Sequence, residues 1–392
     1  MSGAKDLLFR GLLAVALIWA LQVGQEIYKD WGEYMMIKYL DSQEVAGRSQ
    51  DELLHGALRF GGMLVAQLLF RYLFAPVARA MIPKKPRWSY QVWGAKVTRC
   101  CDSIFKCCYY CAMTTWCYAL LRDQPWLPRL LGGSGDTRYC WRGYPYQALS
   151  SELCSFYLTA VGYHLSEVVM LLLEVRHPDF WEMLLHHIVT CCLVVFSYGL
   201  SYIRIGSLVL LLHGVTDIFV YLSKALVDTP NTRCIVASYF ALVASYIWFR
   251  IIVFPVSIMR SVWVESIPEA SPERIVSWGF INFGLFTLFL LHMYWFGMIL
   301  KIGTYYRQTG QARDLQSNLS SMGLYIPPEY FVLMFMSSTR TWTRSGRETK
   351  TGVGPVDDRT YLCVFLALAL WALDADRSSG RATKIELTDS AN

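Results

Sequence analysis

The amino-acid sequence predicts an all-α, polytopic membrane protein of about eight transmembrane helices. Three observations carry that expectation. Of 392 residues, 54% are hydrophobic and only 17% charged, with a mean hydropathy of +0.32, whereas soluble domains carry about a quarter charged residues. The apolar residues gather in runs long enough to cross a hydrocarbon core, which takes about 20 residues of helix. The loops between the runs distribute their cations as the positive-inside rule requires. The 14 Trp, 24 Tyr and 20 Phe suit a chain with two membrane interfaces, and the net charge of +6 is scattered through loops, so no basic domain for nucleic acid is present.

In chain order the candidate spans are Leu7–Tyr28, Leu53–Met81, Ile104–Leu121, Leu153–Val175, Trp181–Leu200, Ile203–Leu226, Thr232–Ile258 and Val276–Ile302. Each must be helical, because backbone polar groups in lipid need partners within their own segment. Lys5 precedes the first run and Arg10 lies at its start, but no persuasive small-residue cleavage site follows, so it reads as an anchor rather than a signal peptide. After the second span, Lys84, Lys85, Arg87, Lys96 and Arg99 come without an acid, which assigns that loop to the cytosol. Counting outward puts both termini there too, and puts Met259–Arg274, with Glu265, Glu269 and Glu273, on the opposite face.

The chain thus divides into N-terminal anchors with a basic loop (1–99), a helical domain (100–302) and a cytosolic tail (303–392) rich in Ser, Thr, Arg and Gly and expected to be flexible. Within the tail, Tyr361–Leu373 is short for a span and suits either an interfacial position or packing on the bundle. Asn318 heads a glycosylation acceptor, but in a cytosolic tail no glycan is expected. Most of the 12 cysteines lie in apolar stretches. Cys108 and Cys111 have CxxC spacing without a partner pair, so the cysteines read as small buried apolar side chains rather than as disulfides or zinc ligands.

Spans five and six carry the unusual residues. His186 and His187 lie inside an apolar helix, with Glu182, His186 and Thr190 on one face and His187 rotated by about 100°. On the next span, His213, Asp217, Tyr221 and Lys224 form a polar stripe at helical spacing. One intramembrane histidine often satisfies a neighbouring helix; three with a carboxylate on consecutive helices point to a functional cavity. The seven histidines (55, 164, 177, 186, 187, 213 and 292) contain none of the HxxxH or HxxHH boxes of membrane desaturases. A zinc centre from His186, His213 and Asp217 is the weaker reading, since ligands of that kind bring further polar groups behind them. Acid–base or nucleophilic work fits better, with Asp217 one turn from His213 fixing its tautomer and stabilising its imidazolium.

These two spans resemble the ceramide synthases, within the wider TLC-domain superfamily. The family signature can be written HHxxTxxLxxxSYxxNxxRxGxLVxxLHDxxDxxLExxK. This sequence carries His186, His187, Thr190, Leu193, Ser197, Tyr198, Arg204, Gly206, Leu208, Val209, Leu212, His213, Asp217 and Lys224 in register. Further likeness lies in CDSIFK, WRGYPYQ, HPDFWE, FRIIVFP and LHMYW, so the resemblance covers roughly residues 100–302. Three positions depart from the pattern: Ser201 stands for Asn, Gly214 for the Asp beside the histidine, and Tyr221 for Glu. Gly214 removes a carboxylate and weakens a helix interior by about 1 kcal/mol in a soluble host. The connection from Pro83 to Arg99 is too short for the homeodomain-like insert of some animal members.

The resemblance implies a TLC-type bundle enclosing a lipid or acyl cavity in the endoplasmic reticulum membrane. It implies transfer of an acyl group from acyl-CoA, as co-substrate and without other cofactor, to the amine of a long-chain sphingoid base. His186, His187, His213 and Asp217 would then be catalytic, and Tyr198, Arg204, Tyr221, Lys224 and Trp295 would bind substrate. Membrane lipid, acyl-CoA and the sphingoid base are the implied partners, with no nucleic acid; related enzymes are often dimeric, as homo- or heterodimers. In the family the loop before the final span, here about Met259–Arg274, influences acyl-chain length. A non-catalytic lipid-binding or lipid-transport protein, and an enzyme acting on another lipid amine or alcohol, are the competing readings.

Overall fold

The computed structural model describes residues 45–86, 88–144, 147, 149–173, 180–266 and 275–309, with the isolated positions 22 and 25. Apart from those two positions the expected first span falls outside the described residues, as do Asn318, Glu269, Glu273 and the run Tyr361–Leu373. Among the described residues the helices are, in order, α1 (Val45–Met81), α2 (Tyr90–Leu121), α3 (Ser151–Leu173), α4 (Phe180–Gly199), α5 (Ile203–Leu226), α6 (Thr232–Ser245) and α7 (Ile275–Thr309). α6 continues without a break into π-helical turns over Tyr246–Met259 and Ser261–Glu265. Local chemistry starts two of them: the Ser89 hydroxyl accepts from the Val92 N–H and the Asn231 side chain from the Cys234 N–H, each satisfying an orphan donor of the first turn.

Among the described residues, six helical segments are long and apolar enough to cross a membrane: Leu54–Met81, Ser151–Leu173, Phe180–Gly199, Ile203–Leu226, Thr232–Glu265 and Trp278–Thr309. The chain is a multi-pass, all-α membrane protein. One expected span changes character. Ile104–Leu121 is the second half of α2, and α2 is not among the six, because Lys106, Tyr109, Tyr110, Thr114 and Thr115 dilute its apolarity while Lys96, Arg99 and Asp102 lie upstream. Its charges are matched sideways. Asp102 accepts both arms of Arg71 from α1 at 2.8 and 2.9 Å, Lys96 meets Asp228 at 2.7 Å beyond α5, and Lys106 pairs with Glu167 of α3. Polar groups at membrane depth persist where neighbouring helices satisfy them.

α2 packs along α5, and α1 along α2 and α3. Arg59 binds the Ser155 carbonyl and hydroxyl, and Gln67 donates to Ser166 and Glu167 at 3.0 Å, fixing α1 on α3. The other side of α1 leaves Leu58, Val65, Leu69, Tyr72 and Leu73 exposed, an apolar face fit for lipid. The main core joins the ends of α2 and α4, the starts of α3 and α5, the π-helical segment, α7 and the loop around Trp126 and Trp141. Trp141 donates to Ser261 at 2.9 Å and Thr137 to Glu265 at 2.7 Å, so this loop holds the last π-helical turns at one end of the bundle. There, burial pushes the Cys140 thiol well above its ordinary value, so it packs rather than reacts. The 11 described cysteines form no disulfide.

Two local geometries position the site. The π-helical turns carry Pro255, which lacks an N–H and in an α-helix would press on the carbonyl four residues back; the wider turn relieves that contact. Along it Tyr246, Arg250, Phe254 and Ile258 are all buried. At Gly214 of α5, an added Cβ would lie 2.4 Å from the Thr114 hydroxyl of α2, so the missing side chain is what lets these helices approach.

Candidate active site

On α4 the His186 ring stands edge-on to Trp295 of α7 with centroids 5.0 Å apart, and 5.4 Å from the ring of buried His187. Its Nδ1 is buried without a hydrogen-bond partner among the described residues, as is the hydroxyl of Thr190 one turn along. On α5, His213 Nδ1 donates to the Val209 carbonyl at 2.8 Å, one turn back. Its Nε2 lies 3.1 Å from His292 Nε2 on α7, and Phe254 meets its ring edge-on. His292 has no exposed surface.

Asp217 does not serve His213 as expected. Its carboxylate forms an ion pair with Arg250 of the π-helical segment, with the side chains 17% and 5% exposed. The physical reason is competition. A guanidinium offers a carboxylate charge-assisted hydrogen bonds, while the imidazole N–H already has a backbone acceptor and the other nitrogen a histidine partner. The pairing of Asp217 with Arg250 neutralises a cation that would otherwise face the histidines. Arg250 also lies 5.4 Å from the Tyr246 ring, and the Tyr246 hydroxyl donates to the His292 carbonyl at 3.1 Å.

The rest of the stripe continues toward α2. Tyr221 stacks on Tyr110 at 5.6 Å and 8°, with the ammonium groups of Lys106 and Lys224 5.6 and 5.4 Å from its ring centroid. The family's acid is missing at 221, but Glu167 of α3, 2% exposed, brings a carboxylate to Lys106. Tyr198 and Arg204 lie elsewhere. Tyr198 packs on Tyr157, while Arg204 donates to the carbonyls of Tyr139 and Arg142 at 3.2 Å and covers Trp126. From Arg204 to Asp217 is about 20 Å along the helix, so the structure ties Arg204 to the end loop and not to the histidines.

His186, His187, His213, Asp217 and Trp295 therefore share one region, with Tyr221 and Lys224 a turn or two further along α5. Sequence reasoning missed Arg250, His292, Tyr246 and Glu167. Arg250 is the lone cation of an apolar run and His292 a histidine at membrane depth, and both facts were signals of function. Of the donors weighed for zinc, His213 meets His292 and Asp217 meets Arg250; no group of three His, Cys, Asp or Glu among the described residues is arranged to hold a metal ion.

Residues 99–301 match the family model described as TLC domain. The chain is 27% identical over 247 residues to ceramide synthase hyl-1 of Caenorhabditis elegans, covering 59% of this chain and 65% of that one. It is 31% identical over 230 residues to ceramide synthase 4 of Bos taurus, covering 57% and 54%, and 26% identical over 247 residues to ceramide synthase LOH2 of Arabidopsis thaliana, covering 61% and 81%. The match thus spans about half to two thirds of the length of these animal relatives.

Proposed function

The chain belongs to the TLC-domain family, and from that premise we propose that it is a ceramide synthase, transferring an acyl group from acyl-CoA to the amine of a sphingoid base in the endoplasmic reticulum membrane. The observation that carries the proposal is the convergence of His186, His187, His213 and His292 beside a neutralised Asp217–Arg250 pair, deep in an apolar bundle. A thioester carbonyl is electrophilic, but the ammonium of a long-chain base must lose a proton before it attacks. Imidazoles supply both functions at neutral pH, and a placed base contributes about a hundred- to ten-thousand-fold.

In this reading His186 acts on the thioester carbonyl, by attack that forms a transient acyl-imidazole or by activating the amine's attack directly. His187 donates to the developing oxyanion, and the pair containing His213 takes the ammonium proton. The C–S bond breaks, CoA leaves as thiolate and is protonated, and the amide nitrogen loses its second proton. Trp295 and Tyr221 line the path of the lipid chains, which lie between the helices, and the CoA phosphates meet cytosolic Lys and Arg. Acyl-CoA is the only co-substrate required. Tyr198 and Arg204 keep a supporting role through the end loop.

Purified protein in detergent, given acyl-CoA and sphinganine, tests the reading. N-acyl product with stoichiometric CoA supports it, and CoA release alone means hydrolysis. Absence of both fits the lipid-binding alternative, which Gly214 in place of the family's Asp favours.

A further inference from the structure

Hydrogen bonding fixes the protons of the two-histidine pair. A carbonyl only accepts, so the bond to Val209 places a proton on His213 Nδ1 and leaves its Nε2 bare. That bare nitrogen lies 3.1 Å from His292 Nε2, which must then donate, so the lone pair of His292 is on Nδ1. This last nitrogen is buried, on a residue with no exposed surface, and has no partner among the described residues. The ring cannot easily turn away from the arrangement: Phe254 packs at 5.1 Å, Tyr246 stands at 6.3 Å, and the Tyr246 hydroxyl holds the His292 carbonyl. Buried acceptors in native proteins are normally satisfied. An acceptor held ready beside reactive histidines is a place for a donor that arrives with the substrate.

We propose that His292 is the catalytic base that takes the proton from the substrate ammonium, with His213 as the relay behind it. The proposal rests on the acyl-transfer reading above. Nδ1 of His292 accepts one proton from R–NH3+, leaving the nitrogen lone pair free to form the C–N bond. His292 then passes its Nε2 proton to His213 Nε2, so the positive charge ends on His213 while His213 Nδ1 stays bonded to Val209. One proton leaves the amine and one imidazolium forms, so the step balances. Among the described residues, the charged and titratable groups facing the pair are His164 of α3, His186 of α4, Asp217 of α5, and Arg250 and Tyr246 of the π-helical segment, with the Asp217 carboxylate offsetting the guanidinium.

His292→Gln tests this. Its side-chain amide still donates to His213, preserving the structural bond, but offers no basic nitrogen. N-acylation of sphinganine by the variant should fall on the order of a hundred- to ten-thousand-fold near neutral pH. The deficit should shrink at least about ten-fold between about pH 7 and about pH 9, as the free amine accumulates unaided. With hydroxylamine, whose nitrogen is unprotonated at neutral pH, the variant should release CoA at close to the wild-type rate. His292→Ala should regain sphinganine acylation when imidazole is added, a rescue that a packing role would not show. Wild-type rates in His292→Gln, or an equal loss at every pH and with both acceptors together with no rescue by imidazole, would overturn the assignment. A wild-type protein that forms no N-acyl product would instead overturn the acyl-transfer reading beneath it.

Discussion

Replacing Arg250 by Met should destabilise the folded protein by about 3–5 kcal/mol, the usual cost of stranding one member of a buried ion pair. The structure sets the expectation at that level. The Arg250 and Asp217 side chains are 5% and 17% exposed, and loss of the guanidinium leaves the carboxylate beside Tyr110 and Tyr221 with, among the described residues, Lys224 of its own helix as the remaining cation. Arg250 also sits over Tyr246, a contact worth about 0.5–2 kcal/mol that the variant loses as well. Asp217→Leu should cost a similar amount, because it strands the cation. The double variant Arg250→Met/Asp217→Leu carries no unpaired charge and should recover most of the loss, giving a coupling energy of about 3 kcal/mol or more. Denaturant unfolding in detergent, run as a double-mutant cycle, measures it. Two losses that simply add in the double variant would refute the reasoning, since independent effects cannot come from one pair.

Acyl transfer should be lost in His186→Ala, His213→Ala and Asp217→Asn proteins that insert normally, each by on the order of a hundred-fold or more; undiminished activity in all three would end the enzymatic proposal. Restoring the family's acid with Gly214→Asp should destabilise by about 1–3 kcal/mol, because the new Cβ meets Thr114, and Thr114→Ala in the same chain should relieve most of it; thermal unfolding of the two variants beside the wild-type protein checks this. Ser201, in the turn between α4 and α5, has φ of 63°, a left-handed conformation that costs an ordinary residue about 1–2 kcal/mol and suits Asn better. Ser201→Asn should therefore raise the unfolding temperature, and Ser201→Val should lower it.

Much of the site was legible one helix at a time. The spacing of His213, Asp217, Tyr221 and Lys224 defined a face of α5, and the adjacent His186 and His187 marked α4, because intramembrane polar groups are costly enough to stand out. The span boundaries of α3, α4, α5 and α7 follow from apolar length, which the hydrocarbon thickness dictates. α2 was less legible. Its charges lower its apolarity, and their partners Arg71, Glu167 and Asp228 sit on or beside other helices, so no local pattern announces them.

Composition and periodicity by themselves determined that the chain is a helical membrane protein, where six of its apolar helices lie, and which residue types at which faces could do chemistry. They determine this because lipid forces each segment to satisfy its own backbone, making length and pattern local properties. Only the tertiary structure decided which polar side chain meets which. It gave Asp217 to Arg250 instead of His213, joined His213 to His292 from the last helix, and tied Arg204 to the end loop. These choices depend on helix–helix distances and on competition among donors from separate segments, with Gly214 and the π-helical turns setting how closely the helices come.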